Sequence, residues 1–467
     1  ALEDILWRME TGSNRPTGRN AVTNAHMDFI NGAVGTTMFL NSRSALLQGL
    51  STFNYINWKD NNPVKAGLAF ANQKQYWADF KYIMTSDMLR QRRGGLKYNV
   101  QEAELAQQAA QGRENWKKGD MAGIAKSTIA YMLKKGFLPT QIMDSFAISA
   151  GGATFYRNRI NTYLKQGFEQ KTAEKKAWLD FQERTEVAQQ SSRPDLISQN
   201  QAAPMGRLVL AWANTPMQYG RIQEKSVRNF INRRGSDVEN LSKISYYGVI
   251  QASIFASLQN ALFAFALDED DDMAKGDPQI PVQKRRADAL YDQTWRTVNT
   301  VLDGQLRGIG IPGAVVGTIK NMALEAHYQD SKDYNQDFSR VGLQLISYSP
   351  PIGSKVRQVV GAGNIWRWNK DAILGSPMNL DNPGLMAAAK LIEAGTNIPV
   401  ARGLQKTDNL REAADARNQY WQRVSSFWGF PSYQIGVKNE EFEKTKKKFK
   451  KLRKKSKKKT HKIVYSL

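Results

Sequence analysis

Three histidines, no cysteine and one acidic run bound the chemistry open to this chain of 467 residues. His26, His327 and His461 are far apart and show no metal-ligand spacing. Without cysteine there are no disulfides, thiol nucleophiles or thiolate metal sites, and the chain could cross an oxidising compartment without cross-linking. The acidic run is Asp268, Glu269, Asp270, Asp271 and Asp272. It could attract a divalent cation, but it lacks the glycine and terminal glutamate spacing of a calcium loop. A solvated flank to the helix before it is the simpler reading. No phosphate-binding glycine loop, dinucleotide fingerprint, kinase set, nucleophile elbow or zinc-protease motif occurs. A lytic glycosidase would need a general-acid glutamate in a pocket, and no local motif marks one. The sequence therefore predicts no catalytic residue, no cofactor, no metal and no small-molecule substrate.

Charge is the stronger signal. The net charge is +23, and 13 of those positive charges fall between Lys444 and Lys462, a stretch with no acid. The other 10 are spread over the rest of the chain, which is still basic. Lys444, Lys446, Lys447, Lys448, Lys450, Lys451, Arg453, Lys454, Lys455, Lys457, Lys458 and Lys459 are expected to meet phosphates. Contacts of this kind release counterions and read no base sequence. Phe449 and Leu452 lie three apart and would give a helical tail a weak apolar face, so anionic lipid is a second expected partner. A solvated tail that aids solubility is the plain alternative.

Positioning falls to helices. Almost nothing in the chain alternates with period two over the length of a strand, whereas period-3.6 patterns recur throughout. The predicted fold class is all-α: an elongated multi-helix assembly with an extended N-terminal arm and a basic C-terminal tail. Five segments are expected: an arm at 1–24, a helical region at 25–190, a central helical region at 191–365, a loop and helix region at 366–443, and the lysine-rich tail at 444–467. Within 25–190 the pattern predicts one apolar helix over about 26–60, one helix from Pro63 to about Arg93, and a break at Gly151-Gly152 before a charged helix. Further helices are expected at about 334–347, 384–395 and 407–428, with 366–385 rich in loop.

Residues 245–267 read SYYGVIQASIFASLQNALFAFAL, without a formal charge. At about 1.5 Å per residue such a helix would reach roughly 35 Å, enough for a bilayer core. Ser253, Ser257 and Asn260 recur at helical spacing, so one stripe is polar. A membrane helix, the central helix of a soluble core, or a helix packed against copies of itself all fit. Tyr247, Ile250, Ile254, Phe255, Leu258, Leu262, Phe263 and Phe265 are the residues expected to face lipid or a second subunit. Two weaker apolar stretches, 29–58 and 308–324, are interrupted by Arg43 and Lys320. The chain opens Ala1-Leu2-Glu3-Asp4, which is no signal peptide, and reads as a processed product or a piece of a longer protein.

Three stretches carry a resemblance. They are SSRPDLISQ from Ser191, followed by GRLVLAWANTPMQYGR (206–221); SYSPPIGSKVRQ (347–358); and FWGFPSYQIGVKNEEFE (427–443) with its lysine-rich end. Together they resemble the C-terminal part of the very large internal virion proteins of tailed bacteriophages, including short-tailed marine and crAss-like phages. The resemblance spans roughly residues 186–460 and leaves 1–185 uncovered. It implies a helical protein packaged in the virion interior and ejected with the genome into the host periplasm or inner membrane, where it helps form a conduit for DNA. The partners it implies are further copies of the chain, in a ring among other arrangements, together with portal or tail proteins, genomic DNA and the host inner membrane. Two other readings stand beside it: a nucleic-acid-binding cargo protein with no membrane role, and a peptidoglycan-degrading virion enzyme, for which no residue here matches a known site.

Overall fold

The computed structural model describes residues 21–93, 107–188, 204–210, 214–251, 298–331, 338–346, 348–375 and 382–430, with a few isolated positions, among them 105, 253, 295 and 435–436. Among them every regular element is helical and no strand occurs. The lysine-rich tail, the acidic run and residues 254–267 lie outside the described residues.

The N-terminal unit is built around one long helix. Before it come α1 (Ala21–Met38), α2 (Ser42–Gly49), a 3₁₀ turn (Leu50–Tyr55), α3 (Pro63–Ala71), α4 (Gln73–Met84), α5 (Asp87–Arg93), α6 (Gly112–Lys117) and α7 (Met121–Gly136). The long helix is α8 (Leu138–Lys165), and α9 (Gln170–Ala188) folds back along it after Gly167, at φ 86°. Its neighbours α2, α3, α4, α9 and the 3₁₀ turn surround a core that includes Tyr55, Ile83, Leu89, Ile148, Phe155, Ile160 and Phe181.

Two sequence expectations fail here. The helix predicted from Pro63 to Arg93 is three helices, because Asn72 caps α4 with its side chain and Ser86 ends the following turn. The break predicted at Gly151-Gly152 does not occur, since α8 runs straight through both glycines. They serve close packing instead: a Cβ on Gly151 would sit 2.4 Å from the Thr52 carbonyl oxygen, and one on Gly152 2.3 Å from the Phe181 ring. Likewise the apolar stretch 26–60 divides into α1, α2 and the 3₁₀ turn, with Leu40 at φ 46° between the first two.

The rest of the chain supplies α10 (Pro204–Val209), α11 (Asn214–Ile231), α12 (Asp237–Ser245), a π turn (Tyr246–Ile250), helical residues 298–308, α13 (Ile311–Asp330) and α14 (Ser339–Ile346). Then follow α15 (Pro350–Trp368), α16 (Lys370–Gly375), α17 (Pro383–Thr396), α18 (Val400–Ala414) and α19 (Tyr420–Phe427). The segment predicted as loop-rich, 366–385, is therefore helical at both ends, and the helix predicted at 407–428 is two, with a capping box at Gln419 and Gln422 starting α19. The helix expected at 384–395 is α17.

α1 joins the two halves. It touches α7 on one side and α10 and α15 on another. Asn397 ends α17 in the left-handed conformation, at φ 59°. Thr36 donates its hydroxyl to the Asn397 carbonyl (2.8 Å), and Asn397 donates its amide to the Phe29 carbonyl (3.3 Å).

Candidate functional site: the docked start of the apolar run

The run of residues 245–267 begins on a hairpin. α11 and α12 pack together across a tight turn in which Arg233 and Gly235 take positive φ. α12 then widens into the π turn Tyr246–Ile250, whose extra residue per turn frees backbone groups. Gln305 of the helical stretch 298–308 donates to one of these, the Gly248 carbonyl, at 2.7 Å.

Polar and aromatic side chains hold this start against the N-terminal unit. Gln251 lies buried and donates both amide hydrogens, to Asn54 Oδ1 (3.2 Å) and to the Tyr219 hydroxyl (2.8 Å). Tyr219 donates to the same Asn54 oxygen at 2.8 Å, which closes a triangle, and Asn54 donates to the Ala188 carbonyl at 3.0 Å. Tyr246 donates to the Ile56 carbonyl at 3.1 Å and meets Tyr247 edge to face, while Tyr219 and Tyr247 lie 5.7 Å apart. Burial pushes Tyr246 up to about 12 and raises Tyr219, so both stay neutral hydroxyl donors at any ordinary pH.

The opposite face is aliphatic and open: Val249 is 60% exposed, and Ile250 is exposed as well. Of the eight residues expected to face lipid or another subunit, Ile250 is exposed and Tyr247 is buried within the chain. Ile254, Phe255, Leu258, Leu262, Phe263 and Phe265 lie outside the described residues, as do all twelve cationic positions of the tail. Among the described residues no helix is long and apolar enough to cross a membrane, and no cluster of metal-ligating side chains occurs. The neighbouring helices repeat the theme. Trp295, Val298 and Leu302 form one exposed stripe, and Val315, Val316 and Ile319 of α13 form another. Between the two helices the contacts are polar: Lys320 pairs with Asp303 at 2.7 Å, and Asn299 donates to Asn321 at 3.4 Å.

The fold brings two of the three resembling stretches together. Ser349 donates its hydroxyl to the Leu208 carbonyl at 3.0 Å while capping α15. Val209, Leu210 and Met217 share a small core with Ala314, Ile311 and Tyr348. The third stretch contributes Phe430 and Ile435 to a different cluster, with Leu46, Trp421 and Trp428.

Pattern reading missed the clamp of Asn54, Tyr219 and Gln251. The one local signal was Gln251, an amide among aliphatics, and its partners are 32 and 197 residues away. No family model, curated protein or solved structure matches the chain.

Proposed function

We propose that the chain is a structural internal virion protein of a tailed bacteriophage, packaged as a homo-oligomer and ejected with the genome into the host envelope to help form a DNA conduit. The observation that carries the assembly half of this reading is the open aliphatic face of the central region. Val316 is 52% and Ile319 61% exposed, and Val249, Ile250, Val298 and Leu302 are exposed as well. Side chains of this kind, grouped on adjoining helices, favour a protein or lipid partner over water. The clamp of Asn54, Tyr219 and Gln251 fixes the segment that carries Val249 and Ile250. The phage setting rests on the resemblance at 191–199, 206–221, 347–358 and 427–443. Genome contact rests on the tail, whose phosphate contacts would be steeply salt-dependent.

Sedimentation of the purified chain tests assembly. A discrete oligomer is expected, and Val316→Asp with Ile319→Asp should dissociate it while leaving helix content unchanged. A wild-type chain that stays monomeric at high concentration, or a double variant that assembles like wild type, sinks the reading. Truncation at Glu443 should flatten the salt dependence of DNA binding, and an unchanged slope would remove the tail from the scheme.

A further inference from the structure

The second feature lies where the C-terminal helices meet the turn between α1 and α2. α18 places Arg402, Gln405, Lys406 and Asn409 at i, i+3, i+4 and i+7, on one face. That face walls a cleft of about 230 Å³, closed by Phe39 to Ser42 on one side and by Trp428 and Gly429 on the other. Among the described residues that line it there is no carboxylate. Lys406 donates to the Ser42 hydroxyl (2.6 Å) and the Phe427 carbonyl (2.9 Å), and its ammonium stands 5.0 Å from the Phe427 ring centre.

Behind the cleft the charges do not balance. Glu393 is fully buried and accepts from Gln358 Nε2 and, at 3.0 Å, from the Arg402 backbone N–H. Lys355 donates to the carbonyl of the same residue at 2.7 Å, and the Arg402 Nε stands 3.7 Å from a carboxylate oxygen. Among the described residues the Glu393 carboxylate is the negative charge that acts on Lys355, Lys390 and Arg402, and Lys406 adds a further positive charge in front. Burial lowers the pKa of all four cations, and the Glu393 charge offsets it only in part for Lys355, Lys390 and Arg402. Buried charge of this kind is costly unless an opposite charge meets it.

We propose that the cleft binds the phosphate of a nucleotide unit, free or within a nucleic-acid chain. Arg402 and Lys406 face the phosphate oxygens, Gln405 and Asn409 supply amide hydrogens, and the Trp428 wall borders the space left for sugar or base. A guanidinium, an ammonium and neutral amides together match an oxyanion that presents several acceptors. An aromatic at the rim suits a base more than a bare inorganic ion. None of its residues belongs to the lysine-rich tail, and it does not depend on the assembly proposed above.

Calorimetric titration of the full chain with inorganic phosphate, a mononucleotide and a short single-stranded DNA tests it. The matched variant is Gln405→Glu, which sets a carboxylate in the cleft from an exposed position and should leave the circular-dichroism spectrum unchanged. Tail binding is common to both proteins, so their ratio isolates the cleft. Gln405→Glu should weaken the mononucleotide about tenfold, and Lys406→Gln should do the same. If the ratio falls equally for the oligonucleotide, the site takes a chain; if it falls for the mononucleotide alone, it takes a free nucleotide. No binding of either, equal binding by wild type and Gln405→Glu, or binding of inorganic phosphate alone would overturn the proposal.

Discussion

The N-terminal unit and the α15–α18 cluster both bury charge, and they do so in opposite ways. Around α8 three half-buried arginines each meet at least one carboxylate. Arg157 holds Asp79 through two hydrogen bonds of 2.8 and 2.6 Å. Arg159 reaches Asp60 at 2.7 Å and Asp180 at 2.5 Å, and Arg92 reaches Asp144 at 2.6 Å. Around Glu393 one carboxylate faces three cations. The contrast separates two uses of the same chemistry. Closed pairs fix the register of helices, and an open excess of positive charge asks for something from outside.

The largest break in this comparison should come from opening a closed pair. Asp79→Ala strands Arg157 against α4 and should cost on the order of 3 kcal/mol in urea unfolding. A loss below about 1 kcal/mol would mean that the pair contributes no more than an exposed one. Next in size is Gly151→Ala. Its methyl meets the backbone of the 3₁₀ turn and should cost about 2 kcal/mol. Gly363→Ala in α15, where the added methyl meets open space, should instead stabilise by about 0.5–1 kcal/mol. Equal effects at the two glycines would refute the close-packing account of α8.

Below Gly151→Ala in size comes a pH dependence peculiar to the open cluster. Burial depresses Lys355 to about 8, below the ordinary lysine value of 10.5. Between those limits the unfolded chain binds the extra proton, so stability rises with pH. The rise should be on the order of 1–2 kcal/mol once the solvated part of the side chain is discounted. Above about pH 10 the trend reverses. Burial raises Tyr55, Tyr156, Tyr219 and Tyr246, so the unfolded chain loses those phenolic protons first. Denaturation midpoints taken from pH 7 to 11 should therefore pass through a maximum, and Lys355→Met should flatten the rising limb alone. A midpoint that falls steadily from pH 7 would contradict the charge excess.

Much of the fold was legible. The period-3.6 patterns and the missing period-two alternation gave an all-helical chain. Pro63 after Asn62 placed the start of α3, and α17 starts one residue before the expected 384, at Pro383 after Asn382. Glycine misled the reading at 151 and 152, because a helix tolerates glycine wherever packing against a neighbour repays its lost propensity. The resemblance marked SYSPPIGSKVRQ, but not that its serine would bond the backbone of the 206–221 stretch. The cationic face of α18 was present in the sequence as Arg402 and Lys406 four apart. It drew no notice because what makes it a site is the cleft it walls with Phe39 to Ser42 and Trp428, a meeting that sequence order does not display.

Local chemistry therefore determined which stretches are helical, that cysteine chemistry is closed to the chain, and that its C-terminal end is a dense positive charge. Those properties arise from single residues and from neighbours within two turns. Tertiary structure decided which charges are closed and which stay open, and which face of Tyr246–Gln251 is buried. Such outcomes depend on partners up to 364 residues away, whose meeting is fixed by the packing of whole helices.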